Sequence, residues 1–532
     1  MINITSIENN KRKLTDTYRP INIKVDLTYL KSQKLFDEDK LRQLEEIFSE
    51  TIQSLSSIIS VQHYIITDDI SNSIKELCVP KFDSELNTGF IQYDLLIFPM
   101  VDSDSSLSNN VLAAATPCII ASNNYKPMGG VVLINKNLSF QKYDSIFYMK
   151  NLLFHELTHV LGFHPIFFEY LNLIYSETIN NEKYYYINSP KVLEKAKIHF
   201  GCDTLKGLQL ENQGQAGSVG SHWESRYMLG DYMISSDYTE VVISDITLAL
   251  LEDTGFYKIN YYTGGLFRFG KNQGCAFFQK RCLFNGGENT SFTNEFCTIK
   301  NEPTCAGSHI SRGNCYIINY SYKLNCKYRY YSDNKKGGMI VTDYCPVSFM
   351  YETNNKNYYY PKSCKYGKEE KEFELIGDNS MCFESSLAVS QKETICYKIS
   401  CDRSNKQFNV YIGERIITCP GYEIILKDPN GLRGEIKCPN YNLICTSEKL
   451  CNDMFDCIEK GSESDLSTYD YINDQQALSQ RDIVNLEIDD TNFCDNEEKI
   501  NENNINNILK MNKNLLFFYY FYYLYLFLIH NN

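Results

Sequence analysis

Five consecutive residues, His155-Glu156-Leu157-Thr158-His159, combine types and spacing that can do chemistry. Histidines four positions apart project from one face of a helix, so a single metal ion can touch both imidazoles. Zinc favours imidazole nitrogen in tetrahedral geometry, and a catalytic zinc takes three protein ligands and leaves its fourth position to water. Glu156 stands beside such an ion and can take a proton from that water. With only 8 histidines in the chain, a chance HExxH is rare.

The third ligand must come from elsewhere. In the short signature HExxHxxGxxH it would fall at position 165, which is Pro165, and His164 is one residue early. Another histidine lies in Gly220-Ser221-His222-Trp223-Glu224, beside the only tryptophan and upstream of Met233 in Asp231-Tyr232-Met233-Ile234-Ser235. Both His164 and His222 stand as third ligands on the residues alone. Met228 and Met233 stand likewise as the apolar residue beneath the site.

These segments together resemble the leishmanolysin family of metzincins, in which an insertion separates HExxHxxGF from a distant SHWE segment and the Met-turn. The likeness covers His155 to Phe163, Ser221 to Glu224, Met233 and Leu248 to Tyr257. It extends more loosely upstream through Pro117-Cys118 and Gly129-Gly130, so that about half the chain is involved. The resemblance implies one Zn2+ held by His155, His159 and His222, Glu156 as general base, and Met233 under the metal. It implies an endopeptidase that hydrolyses peptide bonds of protein substrates with a metal-activated water and no covalent intermediate. Family members carry an inhibitory propeptide cysteine, whereas the first cysteine here is Cys78.

Several elements must position these residues. Ser145 to Leu161 contains no Pro or Gly and reads as the helix of the site, closed by Gly162 in the left-handed conformation that ends helices. Leu41, Leu44, Phe48, Ile52, Leu55 and Ile59 recur at three- and four-residue spacing, the mark of an amphipathic helix over a sheet. Ile21 to Leu30 alternates as a half-buried strand, and Tyr93 to Val101 is an apolar run suited to a central strand. Met128 to Asn135 follows a Pro and contains a Gly pair, and its alternation predicts a strand at or near an edge, where another backbone could approach. Along that edge Gly130, Val131, Val132, Leu133 and Ile134 would pair with an extended peptide substrate.

The expected fold class is α+β: a metzincin-type catalytic domain with a mixed twisted sheet and an active-site helix, then a cysteine-rich, disulfide-stapled domain. Of the 20 cysteines, 17 follow residue 270 at irregular spacings, which reads as a disulfide framework of an oxidising compartment. The expected segments are a polar leader over 1–20, an N-terminal catalytic subdomain over 21–165, and an insertion with the third ligand and Met-turn over 166–265. A cysteine-rich domain over 266–458, a polar stalk over 459–514 and a hydrophobic tail over 515–532 complete the chain.

Hydrophobic residues at 43% and charged residues at 22% are ordinary for a folded protein. A net charge of -14 without a Lys/Arg cluster argues against nucleic acid as a partner. Sequons at Asn3, Asn137, Asn289 and Asn319 permit glycosylation. The first residues lack the apolar core of a signal peptide, which reads as a truncated start. Leu515 to Ile529 is an apolar, aromatic run after an Asn-rich spacer, read as a GPI-anchor signal, a tail anchor or a buried segment. Cell-surface or extracellular localisation and membrane association follow. The rival reading is a non-catalytic surface adhesion protein that keeps the fold while its cysteine-rich half engages cell-adhesion partners, and a small-molecule hydrolase is a third.

Overall fold

A computed structural model describes residues 3–5 and 18–445, apart from 63–76, 80–92, 103–106, 108–110, 123, 139–143, 180, 215–216, 237–240, 262–265, 350–362, 366, 388, 390 and 428–430. The polar stretch 459–514 and the apolar tail 515–532 lie outside the described residues, as do Cys451, Cys457 and Cys494.

The fold is α+β. Five strands form the first sheet: β1 (Asn3–Thr5), β2 (Ile23–Val25), β3 (Leu95–Asp102), β4 (Ala113–Ala121) and β5 (Pro127–Asn135), in the order β1-β4-β5-β3-β2. Strands β2, β3 and β5 run parallel, and β4 lies antiparallel to β5. The strand expected over 21–30 is shorter, because the Asp26 carboxylate accepts the Thr28 amide and turns the chain into a short helix, Thr28–Ser32. The apolar run of β3 is buried and paired on both sides, as a central strand should be.

The expectation of an edge at Gly130 to Ile134 is overturned. Strand β5 is paired on both sides, Gly130 with Ile97 of β3 and with Pro117 of β4, so its backbone groups are already committed. The glycine serves a different close approach. A Cβ on Gly130 would lie 2.3 Å from Val160 Cγ1, so the bare backbone lets a helix lie on the sheet at this point.

Two long helices cover the sheet and pack on each other. The first, α1 (Glu38–Ile58), starts at Asp37, whose side chain accepts the Lys40 amide, and buries Leu44, Ile47, Phe48, Leu55 and Ile58. The second, α2 (Asp144–Leu161), carries His155 and His159 and buries Leu153, Phe154, Leu157, Val160 and Leu161. Each such side chain contributes roughly 1.5–3 kcal/mol of burial, which fixes how α2 is rotated against the sheet and α1.

Gly162 departs from the expected left-handed cap, with φ at 159°, close to fully extended. Phe163 N instead returns to Thr158 O, and a Cβ at position 162 would meet the Thr254 methyl at 3.1 Å. Packing rather than turn geometry favours glycine there.

One hydrophobic core runs from Ile21 to Val347, and a second gathers Met381 to Cys445. The second fills a six-stranded sheet of β6 (Ser380–Ser385), β7 (Glu393–Asp402), β8 (Gln407–Ile412), β9 (Arg415–Cys419), β10 (Ile424–Lys427) and β11 (Glu435–Cys438), ordered β9-β8-β7-β6-β11-β10. Cysteine pairing follows the expectation of a disulfide framework. Cys282–Cys345, Cys297–Cys315, Cys305–Cys382, Cys364–Cys396, Cys401–Cys445 and Cys419–Cys438 staple the later part, and Cys78–Cys118 and Cys202–Cys275 the earlier. Among the described residues no helix is long and apolar enough to cross a membrane.

Candidate metal centre

One face of α2 brings His155 and His159 to one spot, and the loop after Leu210 delivers His222 to the same spot. That loop folds back on itself: Glu211 N donates to His222 O, and Gly220 N to Glu211 O. Gly217 and Gly220 turn it with φ of 99° and 75°, a region open to glycine at little cost. Nitrogen atoms of the three rings lie within 4.8 Å of one another.

Hydrogen bonds fix which nitrogen of each ring faces inward. His155 Nδ1 lies 2.6 Å from Tyr232 O, and His159 Nδ1 lies 2.7 Å from Phe163 O. His222 Nδ1 lies 3.1 Å from Ser218 O and 2.9 Å from Ser221 Oγ. A carbonyl only accepts, so each Nδ1 carries the proton and each Nε2 is left with a lone pair. The Nε2 atom of His155 lies 3.0 Å from that of His159 and 3.1 Å from that of His222.

Burial is the chief cause that holds these imidazoles neutral, taking His155 down to about 4, His222 to about 3 and His159 well below its ordinary value. Three neutral nitrogens with converging lone pairs repel one another unless a cation stands among them. The donor set therefore fits a divalent ion of imidazole preference.

Glu156 is buried, its Oε2 has no hydrogen-bond partner, and burial pushes the carboxyl up to about 8. His164 belongs to a different job. Its Nδ1 accepts the Ile166 amide at the start of the helix Pro165–Tyr170, and its Nε2 lies 3.5 Å from Thr116 Oγ1 of β4.

Met233 is fully buried in the turn that supplies the Tyr232 carbonyl, and Met228 is fully buried at the end of the short helix Ser225–Met228. Asp231 pins the Met233 turn by accepting Met233 N at 2.8 Å, Ser244 N at 3.2 Å and Thr247 Oγ1 at 2.8 Å. Thr247 Oγ1 in turn accepts Trp223 Nε1 at 2.7 Å, and Trp223 N donates to Met233 O. The segment of His222 and the turn of Tyr232 are thus one hydrogen-bonded unit. Phe163, directly after α2, meets Trp223 edge-on at 5.1 Å and joins that unit to the helix.

Sequence reasoning missed Tyr232, Asp231 and Thr247. The first two sit in the segment quoted for Met233 and were open to notice, whereas Thr247 is a single hydroxyl in an apolar helix, Asp245–Asp253, with no signal of its own. Also missed was the free edge of the sheet. Strand β1 pairs with β4 only at Ile119 to Ala121, so among the described residues Ala113 to Thr116 have no strand on their outer side.

The Leishmanolysin family model, Peptidase_M8, matches residues 27–452. The chain is 28% identical to leishmanolysin of Leishmania donovani over 384 residues, covering 68% of this chain and 62% of that protein. A leishmanolysin homolog of Crithidia fasciculata is 27% identical over 384 residues, 69% of this chain and 57% of that protein. A leishmanolysin-like peptidase of Drosophila melanogaster is 27% identical over 302 residues, 49% of this chain and 44% of that protein. The aligned part spans about three fifths of the length of the Leishmania and Crithidia relatives.

Proposed function

The chain belongs to the leishmanolysin family, and on that premise we propose that it is a zinc-dependent endopeptidase acting on protein substrates. His155, His159 and His222 hold the ion, Glu156 is the general base, and Met233 packs beneath. One observation carries this reading: three imidazoles with carbonyl-fixed tautomers turn their Nε2 atoms to a common point at 3.0 and 3.1 Å. What zinc supplies there is Lewis acidity toward a scissile carbonyl and toward its own water ligand.

The remaining work falls to the chain. Glu156 accepts the proton of the attacking water at its carboxylate and hands it to the leaving amine nitrogen. An extended peptide adds as a strand to the outer side of β4 at Ala113 to Thr116, where backbone groups give affinity and side-chain pockets give choice. The contact of Thr116 with His164 supports this position, since it sets that edge beside the segment that follows the second histidine.

The disulfides favour an oxidising compartment, cell surface or extracellular. Exposed Asn137, Asn289 and Asn319 are available to glycosylation, and the tail 515–532 is the element proposed to associate with a membrane.

The test is metal analysis of the purified chain with casein digestion before and after chelation. Zinc near one ion per chain and chelator-sensitive digestion are expected. Glu156→Gln should lower kcat/KM by about 10²–10⁴ with zinc content unchanged. Digestion that survives this substitution removes Glu156 from its role, and a chain without metal or digestion leaves the adhesion reading standing.

A further inference from the structure

A histidine outside the imidazole cluster faces the proposed peptide edge. Thr116 of β4 is exposed, and its Oγ1 lies 3.5 Å from Nε2 of the half-buried His164, in the segment that follows α2.

The tautomer of His164 is fixed by its other nitrogen. Nδ1 accepts the Ile166 amide at 3.3 Å and caps the helix Pro165–Tyr170, so the neutral ring carries its proton on Nε2. Burial takes the ring down to about 4 and keeps it neutral near physiological pH. Thr116 Oγ1 gives its own proton to Pro117 O at 3.4 Å and is left as an acceptor. The edge therefore presents an N–H donor beside a hydroxyl acceptor. Both existing contacts are long for hydrogen bonds, so an incoming group loses little by replacing them.

The pair is in place before any peptide arrives. At the far end of the same helix Tyr170 stacks on Tyr125, in the turn between β4 and β5, with ring centroids 4.8 Å apart and planes at 22°. Both ends of the helix are thus tied to one hairpin, which lowers the cost of ordering the subsite on binding.

A strand added to the outer side of β4 sets its residue opposite Thr116 with the side chain on the same face, with Cβ atoms roughly 5 Å apart. The complement of a donor beside an acceptor is a primary carboxamide, which carries an acceptor oxygen and a donor nitrogen on one carbon. A carboxylate has no donor for Thr116 Oγ1 and would meet a neutral imidazole instead of a cation. An apolar side chain would leave the N–H unanswered.

We propose that His164 and Thr116 form a specificity subsite for Asn or Gln of a peptide substrate, with His164 Nε2 donating to the side-chain oxygen and Thr116 Oγ1 accepting from the amide nitrogen. This subsite rests on the peptidase reading and on β4 as the edge that the peptide joins.

Digestion of a mixed peptide library by the full chain, with cut sites read by mass spectrometry, locates the preferred position, and kcat/KM is then compared for peptides with Gln, Glu or Met there. Gln should be favoured over Met, which has a similar shape, by about tenfold, and over Glu as well. His164→Asn keeps a side chain that caps helices but is too short to reach Thr116, so the ratio of Gln to Met should fall to about one. Thr116→Val removes the acceptor and leaves the cap, should lower the same ratio severalfold, and serves if the first variant does not fold. An active chain with no enrichment of Asn or Gln, a preference for Glu over Gln, or a ratio unchanged in the folded variants overturns the subsite and leaves the peptidase standing. A chain that cuts no peptide overturns both.

Discussion

The surroundings of α2 and the six-stranded sheet hold the chain in place by different means, while the rest of the first core carries Cys202–Cys275, Cys282–Cys345 and Cys297–Cys315. Around α2 the fixing contacts are non-covalent: a helix seated on Gly130, a tryptophan indole, a threonine hydroxyl and an aspartate that accepts three donors. In the later sheet, cystines do much of that holding, with Cys401–Cys445 and Cys419–Cys438 closing strands and the short helix Tyr441–Ile444 onto one another. The difference teaches where adjustable chemistry can live. Imidazoles must face inward at hydrogen-bond range of carbonyls and still exchange a ligand, which packing with polar hubs permits, whereas a sheet with the smaller of the two cores is secured by covalent closure.

The proposed base gives the largest expected effect, and it touches only one side of this contrast: Glu156→Gln removes activity and leaves both cores as they were. Next comes a break confined to the other side. Cys401 and Cys445 close a loop with sequence separation 44, and chain entropy alone assigns about 4 kcal/mol to such a closure. Replacing both by alanine should lower the unfolding midpoint of the 380–445 sheet in urea while zinc content and casein digestion persist. Loss of bound zinc in that variant would mean that the two regions are coupled more tightly than their separate cores imply.

Smaller, and on the first side, is Gly130→Val. The added Cβ would fall 2.3 Å from Val160 Cγ1, so α2 must lift from β5, an overpacking cost of about 2–3 kcal/mol. Metal affinity should fall together with stability, because α2 carries two of the three rings. A variant with unaltered urea midpoint would show that the helix slides without loss.

Much of this was legible in the residues. The spacing of His155 and His159 required one helical face, and the apolar period of α1 placed its buried side, because both depend on a local repeat. Register across strands is not local. The Gly pair at 129–130 announces that something approaches the backbone, but whether that is a peptide substrate or a helix is decided by Val160, far along the chain. So β5 reads as an edge in sequence and lies in the interior of the sheet. His164 and His222 were separable only through the family resemblance, since a capping contact to Ile166 and a turn onto Ser218 leave no mark in composition.

The smallest effect concerns the hub that joins the third ring to the turn. Thr247 Oγ1 accepts from Trp223 Nε1 and donates to Asp231 Oδ2, and Asp231 fixes the turn whose Tyr232 carbonyl accepts the hydrogen bond of His155 Nδ1. Thr247→Val preserves shape and removes both bonds together with the longer one from Ser244 Oγ at 3.4 Å, leaving a buried indole N–H without its acceptor at a cost of about 1–2 kcal/mol. Outer partners of metal-bound imidazoles typically change affinity by about 10–100-fold, and Thr247 lies one step further out, so zinc affinity about tenfold weaker is expected. Competition with a chromophoric chelator measures this directly. If stability falls and zinc affinity does not, the hub serves the core alone, and the orientation of the rings rests on the carbonyls of Tyr232, Phe163 and Ser218 without help from behind them.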